Sequence, residues 1–131
     1  MNTPEQNKAI VRAFVEAVNA QDWKRLETLI ASSFIRHNLA EGKPDVHSRD
    51  DLVQFLQKEY VIFPDAYETI EDLIAEGDKV AVRHRFQGTQ KRRMGEHSLS
   101  KKILVSDYIA IYRIQHNQIM EAWAVWDNLN R

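Results

Sequence analysis

The apolar residues of this chain change their spacing once, at Phe63-Pro64-Asp65, from every third or fourth residue to every second, and few architectures accommodate both patterns. Before the change, Ile10, Phe14 and Val18 recur at i+4 with Val11 and Val15 beside them, opposite Lys8, Arg12 and Glu16. This is the stripe of an amphipathic helix. Thr3, Pro4 and Gln6 start it with a cap hydroxyl, a first-turn proline and a side-chain amide three residues after the cap. Asp22 caps a shorter helix in which Trp23, Leu26, Leu29 and Ile30 face inward, leaving the run Phe34 to Asn38 beyond its end. The stretch Ala40 to His47 is polar and holds Gly42 and Pro44, which predicts a loop that overhangs a pocket. Ser48 and Asp51 restart a helix whose buried face is Leu52, Phe55 and Leu56. Pro64 stops it, because proline disfavours helix at the residue before it.

After the change, Tyr67 to Ala75 and Lys79 to Gln87 alternate as strands around Glu76-Gly77-Asp78, where the glycine supplies a positive φ and closes a hairpin. Ile103 to Ile114 and Ile119 to Asn128 form a second pair across Gln115 to Gln118, with Asn117 as the expected left-handed residue. Lys91, Arg92, Arg93, Lys101 and Lys102, around Gly95, either meet an anionic group or, as the pattern favours, form a solvated hairpin end. Helices gathered first and antiparallel strands gathered after them predict an α+β fold, with the helices closing one face of a curved, mainly antiparallel sheet. At 131 residues, 44% of them hydrophobic and 28% charged, the chain is expected to form a single domain over 1–131 with a substantial core.

Charge and residue usage narrow the function classes. The 18 basic and 19 acidic residues leave a net charge of -1, which disfavours nucleic acid and anionic lipid and favours small-molecule or protein partners. Without cysteine there are no disulfides, thiolate nucleophiles or Cys-ligated zinc. The 5 histidines lack the paired spacing of metal ligands, so no metal site is expected. No phosphate-cradling glycine motif, serine elbow or dinucleotide fingerprint occurs. A polar N-terminus and the lack of any apolar run near the length of a membrane span predict a cytoplasmic protein without membrane contact.

In the last strand, alternation puts Ile119, Glu121, Trp123, Val125 and Asp127 on one face. A carboxylate beside an indole in a half-closed apolar cavity has its charged form disfavoured, which raises its pKa from about 3.9 toward the general-base range. Asp127 is therefore the candidate acid-base residue; the alternative is a strand-end aspartate facing solvent. In the strand Lys79 to Gln87, Ala81, Arg83, Arg85 and Gln87 share the face opposite Val80, Val82, His84 and Phe86. If the arginine face lines a cavity, Arg83 can pair with a carboxylate or hold an enolate oxygen; otherwise the two arginines form a solvent-facing row. His84, between Val82 and Phe86, reads as a packed histidine. His37 either orients substrate and relays a proton, since a neutral imidazole both donates and accepts, or is a structural residue after a helix.

Several segments taken in order resemble the SnoaL-like polyketide cyclases (ester cyclases), within the cone-shaped superfamily that includes nuclear transport factor two. They are the opening helix with Asp22 and Trp23, Phe34 to His37, Phe63-Pro64-Asp65, Ile74 to Arg83, Gly88-Thr89, Ile111 to Ile114 and Glu121-x-Trp123-x-x-x-Asp127. The resemblance runs nearly end to end. It implies a cone-shaped half-barrel with an internal pocket between curved sheet and helices, and a homodimer joined through the sheet's outer face. It also implies intramolecular aldol ring closure, without metal or cofactor, on a small hydrophobic or aromatic carbonyl-containing ligand. The family's proton-abstracting aspartate matches Asp127, its histidine after the second helix matches His37 and its strand arginine matches Arg83. Trp123, Phe34, Phe63 and Arg85 complete the candidate substrate contacts. One position departs: where the family often has a histidine after Gly-Thr, Gln90 stands here and cannot act as acid or base. The fold group also hosts hydrolases, isomerases and proteins without a known reaction. Hydrolysis or isomerisation in the same pocket, or ligand binding by a non-catalytic dimeric module, are thus the alternatives.

Overall fold

Side-chain caps set where the helices begin. In the computed structural model, which describes residues 2–91 and 103–126, the Thr3 hydroxyl accepts from the Gln6 N–H at 3.1 Å, while Gln6 Oε1 accepts from the Thr3 N–H at 2.8 Å. This reciprocal box opens α1 (Pro4–Asn19). Asp22 caps α2 (Trp23–Leu29) through the Arg25 N–H, and Ser48 caps α3 (Arg49–Ile62) through the Asp51 N–H. Each cap satisfies an amide that has no partner inside its own helix.

Among the described residues, six strands follow and interleave: β1 (Ile30–Asn38), β2 (Lys43–Val46), β3 (Tyr67–Glu76), β4 (Lys79–Thr89), β5 (Ile103–Gln115) and β6 (Gln118–Trp126). They form one open, mixed sheet in the order β2-β1-β6-β5-β4-β3. All neighbours are antiparallel except β1 and β6, which run parallel with Ile35 opposite Glu121 and Asn38 opposite Ala124. The α+β class expected from the sequence is the class observed. Two local expectations are corrected. Ile30 opens β1 rather than closing the preceding helix, and the stretch Ala40 to His47 contains β2 instead of being loop throughout. An edge strand tolerates Pro44, since its outer side has no partner to receive an N–H. The turns fall where expected: Gly77 has φ 58°, and His116 and Asn117 have φ 54° and 60°.

The period of two sends Val80, Val82, His84 and Phe86 of β4, and Ser106, Tyr108, Ala110 and Tyr112 of β5, toward the helices. There Val80, Val82, Ala110 and Tyr112 meet Val11 and Val18 of α1, Leu26 of α2 and Leu52 of α3 in one core with Ile30, Phe34 and Ile119. Polar pins hold α1 across the sheet. Asn7 is 3% exposed and donates through Nδ2 to the Gly77 carbonyl at 3.1 Å, which fixes the helix start against the β3–β4 turn. Asn19 does the same at the helix end, beside β3. Among the described residues, no helix is long and apolar enough to cross a membrane.

Candidate functional site

The helices do not fill the concave face completely. Between α1, α3 and the sheet lies a cavity; the empty space within and before it is about 520 Å³, open solvent included. Three alanines create it: Ala110 pairs with Ala124 across β5 and β6, and Ala122 lies one inward position along. Side chains this short leave room that leucines would occupy. Phe14, Val15 and Val18 of α1, Leu52 and Leu56 of α3, and Phe34 and Trp126 of the sheet form the remaining apolar wall. The polar lining consists of Arg36, Glu68, His84, Tyr108 and Tyr112.

Four of these form a connected group. Asn19, at the end of α1, holds both backbone groups of Glu68, donating to its carbonyl at 2.9 Å and accepting from its N–H at 2.8 Å. The carboxylate is thereby set at the cavity wall. Its Oε1 accepts from the Tyr108 hydroxyl at 2.7 Å, and its Oε2 lies 3.4 Å from His84 Nδ1. His84 is completely buried; its Nε2 is 2.8 Å from the Tyr112 hydroxyl, and its ring stacks on Tyr108 with centroids 4.4 Å apart. Burial first, and the negative charge of Glu68 second, push the Tyr108 and Tyr112 phenols well above their ordinary pKa. Both therefore stay protonated; Tyr108 donates to Glu68, while Tyr112 donates to His84 Nε2 or accepts from it according to the His84 tautomer. In the tautomer in which Tyr112 donates to Nε2, the His84 ring proton sits on Nδ1, toward Glu68.

Arg36 supplies the cavity's cation. Its Nε and Nη2 donate to the two oxygens of Asp45, each at 3.1 Å, and its guanidinium lies over the Phe55 and Trp126 rings at 4.5 and 5.0 Å. The planar fork matches the carboxylate and leaves one face for aromatic contact, which an ammonium group does not reproduce.

Of the residues singled out from the sequence, Phe34 lines this cavity. Arg83 and Arg85 do not. They lie on the outer face, where Arg83 Nε meets Asp72 at 2.9 Å and Arg85 Nε meets Asp107 at 2.8 Å. The reason is the alternation itself: β4 turns its apolar set inward, so its arginines turn out. Hydrogen bonding from Arg85 holds the exposed Asp107 carboxyl below its usual range. His37 is likewise on the outer side of β1, since Phe34, Arg36 and Asn38 take the inner one. Its Nε2 is 2.6 Å from Glu121, and its ring stacks on Trp123 with centroids 5.5 Å apart. Burial alone raises the Glu121 pKa, but hydrogen bonds from His37 and Arg113 outweigh it and leave the carboxyl below its usual range. Trp123 thus belongs to the outer cluster rather than the cavity lining. Phe63 packs against Phe86 in a separate small core. Asp127 lies outside the described residues, as do Arg92, Arg93, Gly95, His97, Lys101 and Lys102. Sequence reasoning passed over Glu68 and Arg36 and read His84 only as packing. For His84 the signal was present, since a polar residue on the apolar face of β4 has to be satisfied inside. Among the described residues, no group of three or more His, Asp or Glu is placed to hold a metal ion.

The family model of the SnoaL-like polyketide cyclases matches residues 8–131. No curated protein matches the sequence. Among solved structures, IdmH from Streptomyces antibioticus, provisionally described as a polyketide cyclase, is similar with a TM-score of 0.85 at 24% identity, over 95% of this chain and 94% of that one. A SnoaL-like polyketide cyclase from Agrobacterium tumefaciens gives a TM-score of 0.81 at 20% identity, over 98% and 94%. AclR from Streptomyces galilaeus, provisionally described as a hydroxylase, gives 0.83 at 19%, over 95% and 91%. At such identities the structural likeness fixes the fold and leaves the reaction open.

Proposed function

The chain belongs to the SnoaL-like polyketide cyclase family, and from that premise we propose that it catalyses a cofactor-free, intramolecular aldol-type ring closure on a small carbonyl-containing molecule, with Asp127 as general acid and base. The observation that carries this reading is the make-up of the cavity: largely apolar walls with a few convergent polar groups. Such a lining suits a ligand with a hydrophobic or aromatic body whose carbonyls react. Removing a carbon-bound proton leaves negative charge on an enolate oxygen, and a fixed cation placed beforehand stabilises it. Arg36, rather than Arg83, borders the cavity, and we assign that role to it. The outer face carries Ile109 opposite Val125 and Ile111 opposite Trp123, an apolar strip that supports a homodimer joined sheet to sheet.

The test is turnover of a linear polyketide ester, with ring closure followed by mass spectrometry and NMR. Asp127→Asn is expected to abolish turnover while leaving the thermal midpoint unchanged; equal turnover by the Asn variant refutes the mechanism. Gln90, in place of a titratable histidine, favours a second reading of ligand binding without conversion. That reading predicts saturable binding and no product with any ester tried.

A further inference from the structure

Two polar atoms at the wall of the cavity have no hydrogen-bond partner among the described residues: Glu68 Oε2 and His84 Nδ1. They lie 3.4 Å apart, yet the N–H of His84 does not align with the carboxylate well enough to bond it. Leaving either group unmade in a buried setting is costly, and both side chains are otherwise firmly held. Tyr108 and Asn19 fix Glu68, and Tyr112 and the Tyr108 ring fix His84. The His84 side chain is 1% exposed and that of Glu68 16%. Both residues line the cavity, so an acceptor and a donor lie side by side just beneath its apolar surface.

We propose that Glu68 and His84 form a seat for a single ligand hydroxyl, which donates to Glu68 Oε2 and accepts from His84 Nδ1–H, and that the ligand is a phenol or enol with an apolar ring body. The inference rests on the reading that the cavity takes a small organic ligand, and adds which functional group it selects. The chemistry is restrictive. A ketone oxygen only accepts, so it satisfies His84 and leaves Glu68 Oε2 unpaired. A carboxylate is repelled by Glu68 and has no proton to give it. A hydroxyl satisfies both. The apolar walls from Phe14, Val18, Leu56 and Trp126 then cover the ring.

Titration calorimetry with 2-naphthol, 2-methylnaphthalene and 2-naphthoate tests the seat, since the three share a ring body and differ in one substituent. The wild-type protein is expected to bind 2-naphthol at least about tenfold more tightly than 2-methylnaphthalene, as a hydrogen bond to a buried charged group implies, and to bind 2-naphthoate most weakly. Glu68→Gln removes the charged acceptor but keeps an oxygen for Tyr108, and it is expected to reduce the preference to about twofold or less. In the wild type, 2-naphthol is expected to move the nitrogen NMR signal of His84 Nδ1 and 2-methylnaphthalene to leave it in place, a readout that needs no variant. Equal affinity for 2-naphthol and 2-methylnaphthalene overturns the seat while leaving the cavity as a ligand site. Failure of all three to bind overturns both.

Discussion

Replacing Asp45 by alanine strands a mostly buried guanidinium, and the size of the resulting loss follows from the surroundings of Arg36. The Arg36 and Asp45 side chains are 13% and 20% exposed, with two bonds of 3.1 Å between them. Removing one partner of a fully buried pair costs about 3–5 kcal/mol, because the remaining charge stays desolvated. Here the residual exposure and the Phe55 and Trp126 rings over the guanidinium reduce that to about 2–3 kcal/mol. Arg36→Met is expected to cost less, about 1–2 kcal/mol, since the orphaned Asp45 can turn to water on the edge strand β2 and the methionine keeps the apolar stem. The double variant should therefore be more stable than Asp45→Ala alone, which is the reverse of additivity. Urea unfolding of the four proteins gives the cycle, provided the slopes agree so that midpoints compare directly. A coupling below about 0.5 kcal/mol, or a double variant less stable than Asp45→Ala, refutes the desolvated pair and with it the fixed cation beside the cavity.

Two other perturbations have outcomes set by the structure. Tyr108 and Tyr112 hold their protons in the folded state at pH values where the unfolded chain, with tyrosines near about pH 10, has lost them. The native state then binds more protons, so stability falls as pH rises above about 10, by about 1.4 kcal/mol per pH unit for each buried tyrosine. Tyr60, raised to about 12 by burial, adds to the slope until that pH. Urea midpoints measured across this range should drop, and Tyr108→Phe should flatten the fall; a flat profile in the wild type contradicts the burial of these phenols. At Gly88, an added Cβ would sit 3.0 Å from the Phe63 Cβ, so Gly88→Ala is expected to overpack the small Phe63–Phe86 core and cost about 1–3 kcal/mol. An unchanged thermal midpoint for that variant contradicts tight packing of Phe63 on Gly88.

What local chemistry dictates was readable from the sequence. Thr3, Asp22, Ser48, Gly77 and Asn117 act within a few residues of themselves, and each does in the fold what its type and position imply. What depends on distant pairing was not. β1 is a strand because β6, far along the chain, lies beside it, and nothing within Ile30 to Asn38 announces that neighbour. Bulges hid the rest. β3 skips Glu71 in its pairing between Ile70 and Asp72, so Glu68 and Ile70 share the inner face with Leu73 and Ala75, which strict alternation places on the opposite side. An extra residue at Met120 likewise lets Ile119 sit in the core while Glu121 and Trp123 face out. For Arg83 and Arg85 alternation assigns the two faces of β4, and the apolar set Val80, Val82 and Phe86 decides which of them meets the helices.

Incorporation of solvent deuterium at the acidic carbon of a bound aryl keto ester, followed by NMR in heavy water, reports proton abstraction without requiring that the ring-closed product be known. The wild-type protein is expected to accelerate exchange at least about a hundredfold over the buffer rate, the range of a positioned general base, and Asp127→Asn to fall back to that rate with its thermal midpoint intact. Exchange that is no faster with the wild type than in buffer, or equally fast with the Asn variant, contradicts acid-base catalysis by Asp127.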